Sequence, residues 1–158
     1  MVLACELFNN KINVLGVVVH YTTQVPMLVS HQFDDEVILA NFETGVYYSL
    51  AETGADIWIG LKSGATADEI AVTLAAFYAK GVEDIKPSVE SFIGQLLTEK
   101  IILPSADLVS PEQWSPQFSK SFSPPVLSRF DDLRDLLLLD PVHDVGETGW
   151  PVKVGDGN

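Results

Sequence analysis

The sequence predicts an α+β fold: a winged helix-turn-helix-like module of about three antiparallel strands followed by three helices, continued by an extended C-terminal tail with a short helix. Three observations lead there. Apolar residues alternate with period two up to Leu50, and the spacing changes to 3.6 near Glu52. Gly45, Gly64, Gly81 and Pro104 fall at the joints between periodic segments. After Pro104 the composition turns to Ser, Pro, Asp and Gln as far as Ser128, and a leucine-rich island, Phe130 to Pro151, begins abruptly. A chain of 158 residues, 47% hydrophobic, can bury one substantial core. The expected division is an N-terminal segment with a possible extra strand (1–23), the module (24–104), a Pro/Ser-rich linker (105–128) and a docking or covering motif (129–158).

In chain order, Ile12 to His20 is rich in Val and Ile and reads as a strand. Val25 to Phe33 reads as an edge strand, with Pro26 at its start where a missing N–H is tolerated. Asp34-Asp35 marks a turn into a strand over Glu36 to Phe42. Glu43-Thr44-Gly45 is a hairpin turn, and Val46 to Leu50 is the return strand. In that strand Val46, Tyr48 and Leu50 face one way, Tyr47 and Ser49 the other. Ile57, Trp58 and Leu61 mark a first helix ended by Gly64. Thr66-Ala67-Asp68-Glu69 is a capping box opening a second helix to about Ala79, expected to bury Ile70, Leu74 and Phe77. Pro87 suits the first turn of a third helix, with Val89, Phe92, Ile93, Leu96 and Leu97 as its apolar stripe.

Composition excludes several classes of function. The formal net charge of −13 repels phosphate backbones, so nucleic acid is not an expected partner, whereas a cationic peptide or basic protein face is. The winged-helix outline invites a DNA-binding reading. A recognition helix, however, presents basic or amide side chains to the groove, and the second helix has no Lys or Arg between Thr66 and Ala79. With Cys5 as the single cysteine, no disulfide forms within the chain, and a reducing cytoplasm fits. The apolar run Val14 to Val19 is too short to span a bilayer and no secretory signal precedes it, so no membrane partner is expected. No Ser-His-Asp, Cys-His or paired-carboxylate arrangement and no phosphate-binding glycine loop stands out, so neither an enzyme nor a cofactor site is expected.

An ordered string of residues resembles the PqqD family, the recognition elements used in making ribosomally synthesised, post-translationally modified peptides. The string comprises Asp35-Glu36-Val37-Ile38-Leu39, the hairpin Glu43 to Leu50, Thr53-Gly54-Ala55-Asp56-Ile57-Trp58, then Leu61, Gly64, Ala65 to Ile70, Phe77-Tyr78, Phe92 and Leu96. It covers about seventy residues, less than half the chain. The resemblance implies a non-catalytic peptide chaperone. It would capture the leader of a precursor peptide by strand addition and present it to a modifying enzyme. Mapped onto this sequence, the edge is Val46, Tyr47, Tyr48, Ser49 and Leu50, and the groove wall is Ser88, Val89, Phe92, Ile93 and Gln95. Beside this stands the plainer reading that Phe92, Ile93 and Leu96 at helical spacing are core, as Trp58 is.

The minimal members of the family lack such a tail. In the island, Asp131 to Leu139 reads as a short helix ended at Asp140-Pro141. Its leucines need burial. One reading makes the island a partner-docking motif anchored by Leu136, Leu137, Leu139, His143 and Trp150. A second folds it back over the module, even over the peptide groove. A metal site at His143 with Asp140, Asp144 or Glu147 is weak chemistry for one histidine among carboxylates, and no metal is expected. The alternative function is a structural or regulatory subunit that docks on an enzyme through this Leu/Trp tail.

Overall fold

The computed structural model describes residues 18–107 and 109–132. Cys5, most of the strand expected over Ile12 to His20, and the island residues Leu136, Leu137, Leu139, His143 and Trp150 lie outside the described residues. The described elements are β1 (His20–Thr22), β2 (Leu28–Gln32), β3 (Glu36–Asn41), β4 (Val46–Ala51), α1 (Glu52–Lys62), α2 (Ala67–Tyr78), α3 (Val82–Thr98), β5 (Leu103–Ser105) and β6 (Leu127–Phe130). They form an α+β module. β2, β3, β4 and β6 make one four-stranded antiparallel sheet in that order, while β1 and β5 pair as a separate two-stranded clamp.

The sheet results from alternation and from one turn. Asn41 accepts the Glu43 and Thr44 amides on its side-chain oxygen, at 2.9 and 3.2 Å, and Gly45 sits at φ 70°. That left-handed backbone is open to glycine without penalty, which lets the chain reverse and pair Asn41 with Val46. Val37, Leu39, Val46, Tyr48 and Leu50 then share the buried face. Against them lie Ile57, Trp58 and Leu61 of α1, Ile70 and Leu74 of α2, and Ile85, Val89, Phe92, Ile93 and Leu96 of α3.

Local chemistry sets the helix boundaries. α1 stops in a Schellman motif: the Gly64 amide donates to the Leu61 carbonyl and the Ala65 amide to the Gly60 carbonyl, both at 3.1 Å, with Gly64 at φ 89°. α2 opens on the full capping box. Thr66 Oγ1 accepts the Glu69 amide at 3.2 Å, and Glu69 Oε2 accepts the Thr66 amide at 2.8 Å.

Three expectations are corrected. Phe77 is 49% exposed, because the buried stripe Ile70, Leu74 continues at Tyr78 and leaves Phe77 on the shoulder. The third helix starts at Val82, not near Pro87, with Gly81 as N-cap and Glu83 and Asp84 facing the positive end of its dipole. Pro87 thus lies inside α3, on its exposed side, where the carbonyl left without a helical partner can meet water. Finally, residues 109–126 form no regular element, as their composition suggests, yet they are not a free linker. Trp114, Phe118 and Phe122 recur every four residues and each packs against the core.

Candidate functional site

Of the residues singled out in the sequence, Val46 to Leu50 form β4, whose outer edge is the candidate site. Val46, Tyr48 and Leu50 point into the core, while Tyr47 and Ser49 are half-buried on the opposite face. Phe33 on the β2 side donates its amide to the Glu36 carbonyl at 2.8 Å. Antiparallel alternation then turns the backbone groups of Val37, Leu39 and Asn41 toward β4. By the same rule Val46, Tyr48 and Leu50 spend theirs on β3, and Tyr47 and Ser49 direct theirs outward. That outward row is not bare. β6 lies on it antiparallel, with Tyr47 opposite Phe130, Tyr48 opposite Arg129, Ser49 opposite Ser128 and Leu50 opposite Leu127.

Each β6 residue has its own environment. The Phe130 ring stacks on Tyr47 with centroids 4.8 Å apart and planes 15° from parallel. Arg129 Nε approaches Glu99 Oε2 at 3.4 Å, and the Tyr48 hydroxyl donates to the same oxygen at 2.8 Å. Burial, and then that bond to a carboxylate, raise the Tyr48 phenol above its ordinary value. Leu127 is half-buried against the core cluster. Glu99 caps the C-terminus of α3, so strand and helix together frame the strip that β6 fills.

The third-helix residues divide. Val89, Phe92 and Ile93 are core side chains, buried beneath the sheet rather than lining an open surface. Ser88 is half-buried and Gln95 exposed. Phe92 and the chain entering β6 both come close to Gly54: a Cβ there would stand 3.3 Å from the Phe92 ring and 3.4 Å from the Val126 carbonyl oxygen. A glycine at this place lets the chain entering β6 pass close over the start of α1.

Asp56 anchors the approach to β6. It is fully buried, and its Oδ1 accepts the amides of Gln117 at 2.7 Å and Phe118 at 3.1 Å. Burial raises its carboxyl above the ordinary value, against the pull of those backbone bonds and a longer one from the Tyr78 hydroxyl. Upstream, Trp114 lies over Gly60, where a Cβ would meet its ring at 2.8 Å. Downstream, Ser123 donates its amide to Thr53 at 3.4 Å and its hydroxyl to Glu52 at 2.6 Å. Sequence reasoning gave no role here to Asp56, Gly60, Glu99, Trp114 or Arg129. The available signals were two glycines inside one helix and aromatic residues at regular spacing in a polar stretch.

The chemistry on offer is backbone pairing with side-chain selection. Among the described residues no group of three or more His, Cys, Asp or Glu side chains gathers that could hold a metal ion. Nor is any helix among them long and apolar enough to cross a membrane.

Residues 36–102, from β3 through α3 to Ile102, match the family described as coenzyme PQQ synthesis protein D. No curated protein matches the chain. A solved structure, TbiB1 in complex with the TbiA(beta) leader peptide, is similar at 29% identity, covering 52% of this chain and 96% of that one with a TM-score of 0.48.

Proposed function

We propose that this chain, whose residues 36–102 match the family described as coenzyme PQQ synthesis protein D, is a PqqD-like recognition element for ribosomally made, modified peptides and acts as a non-catalytic peptide chaperone. It captures the leader of a precursor peptide by strand addition on β4 and presents it to a modifying enzyme. One observation carries the reading: the outer edge of β4 takes an added antiparallel strand, in register over four residues, with α3 alongside. Strand addition draws affinity from main-chain hydrogen bonds and specificity from alternate side-chain places. Here those places are the Tyr47 ring on one face, and Glu99 with the half-buried site of Leu127 on the other.

The test is a titration of isotope-labelled full-length protein with the precursor peptide encoded beside its gene. Amide resonances of Val46–Ala51 and of the C-terminal half of α3 are expected to shift, with binding in the micromolar range or tighter. Unmoved resonances in both elements would end the chaperone reading. Presentation is tested by adding the neighbouring modifying enzyme. Turnover of the full precursor is expected to depend on this chain, and turnover of a precursor lacking its leader is not.

A further inference from the structure

We propose that Leu127–Phe130 is a built-in occupant of the strand-addition edge, which an incoming peptide must displace, and that the positions it fills describe the peptide that can do so. The inference rests on the peptide-capture reading above and deepens it.

Three observations point this way. First, β6 provides the one further strand that the four-stranded sheet has beyond β2, β3 and β4, and it belongs to the segment after β5, beyond the family-matched residues 36–102. Of this sheet the matched residues contain β3 and β4; β2 adds on the β3 side, and β6 adds on the β4 side, where strand addition by a peptide is proposed. Second, the segment is firmly held up to Ser123 and lightly held after it. Asp56, Gly60 and Thr53 fix Gln117, Phe118, Trp114 and Ser123. Beyond them, Pro124 and Pro125 have no amide to donate and favour an extended backbone. The strand after these prolines pairs over four residues, of which only Leu127 packs against the core, Phe130 is 40% exposed, and Arg129, its own side chain 47% exposed, pairs with Glu99. Exposed ion pairs and single ring stacks are weak holds. Third, tethering keeps this weak strand in place. An occupant on a short linker competes at an effective concentration in the millimolar range, so it can fill the edge without high intrinsic affinity.

The occupant also gives a specification. Ser128 and Phe130 face the outward backbone groups of Ser49 and Tyr47, so a competitor runs antiparallel to β4. It offers an apolar residue in place of Leu127, a small one at Ser128, a cation toward Glu99 and Tyr48 at Arg129, and an aromatic ring over Tyr47 at Phe130. A basic residue at the third place suits a chain of net charge −13.

Two full-length variants test this. Ser128→Pro removes an amide that faces the Ser49 carbonyl. Ser49→Cys with Ser128→Cys, in a Cys5→Ser background, places two thiols on directly opposed residues, whose usual Cα separation of about 5.5 Å permits a disulfide. The probes are a fluorescein-labelled synthetic peptide spanning Ser121–Asp132 of this chain and the neighbouring precursor. Both are expected to bind Ser128→Pro at least tenfold more tightly than the native chain. Both should bind the oxidised double-cysteine form at least tenfold more weakly, with recovery on reduction. Precursor binding at native affinity to the oxidised form would overturn self-occupancy while leaving peptide capture intact. If the precursor binds none of the three forms, peptide capture fails; the labelled Ser121–Asp132 peptide then decides self-occupancy alone. Equal binding of that peptide to all forms, or none to any, overturns it.

Discussion

Asp56 is the residue on which sequence and tertiary structure meet most sharply. It stands in the second turn of α1, past the first-turn place where acids are favoured by the helix dipole, and its carboxylate is spent on the amides of Gln117 and Phe118. Burial outweighs those bonds and raises its carboxyl in the folded state above the ordinary value of 3.8. Proton linkage gives the sign. Across the window from that ordinary value up to the raised native one, the folded chain binds more protons at Asp56 than the unfolded chain. This group therefore withdraws stability as pH rises through the window. Asp56→Asn, which cannot titrate, removes that dependence. The difference in melting temperature, native minus Asp56→Asn, is expected to fall as pH rises from about 4. A difference that is flat or grows with pH would show that the backbone bonds, not burial, govern this carboxyl.

At the scale of elements, α1 sets two tendencies against each other at Gly60. Helix propensity favours alanine there by about 1 kcal/mol. Packing opposes it, since the new Cβ would stand 2.8 Å from the Trp114 ring and 2.9 Å from Ile70 Cγ1. Overpacking of this kind costs about 1–3 kcal/mol, so Gly60→Ala is expected to lower the urea midpoint and shift Trp114 fluorescence. A raised midpoint would mean that Trp114 yields freely and that the segment carrying it is only loosely seated. The contrast between local and distant forces also separates what was legible in the sequence from what was not. α1, α2 and β4 carry their own punctuation in Gly64, the Thr66–Glu69 box and Gly45, so their boundaries could be read locally. The start of α3 was misplaced because Pro87 imitates a first-turn proline while the true N-cap, Gly81, offers no side chain. β6 was illegible for a different reason. Leu-Ser-Arg-Phe is too short to show a period, and its partner lies far back in the chain. The edge residues Val46 to Leu50 were found because alternation assigns faces. That the edge is already paired could not be found in the same way, because pairing is a non-local property.

For the molecule as a whole the dominant electrostatic fact is the charge of −13, carried on 22 acidic and 9 basic residues. The described ion pairs, Lys86 with Asp68 and Glu90, and Arg129 with Glu99 and Asp131, use only two of the cations. Self-repulsion therefore opposes the compact state, and salt relieves it. Raising NaCl from about 10 to about 150 mM shortens the screening length from about 30 to about 8 Å, and the melting temperature is expected to rise. A fall would show that the few bridges outweigh the general repulsion.

The long way round from β4 to β6 also orders events in time. During synthesis, β2, β3 and β4 are complete well before Leu127 is joined to the chain, so a nascent module has its β4 edge bare. Leu127 comes roughly eighty residues after Leu50, and at about 5–20 residues per second the interval lasts about 4–16 seconds. The same edge is therefore an unguarded template on the ribosome and an occupied one after release. The finished protein differs from its own nascent chain in what a neighbouring strand must do to add to it: displace β6 rather than meet a bare edge.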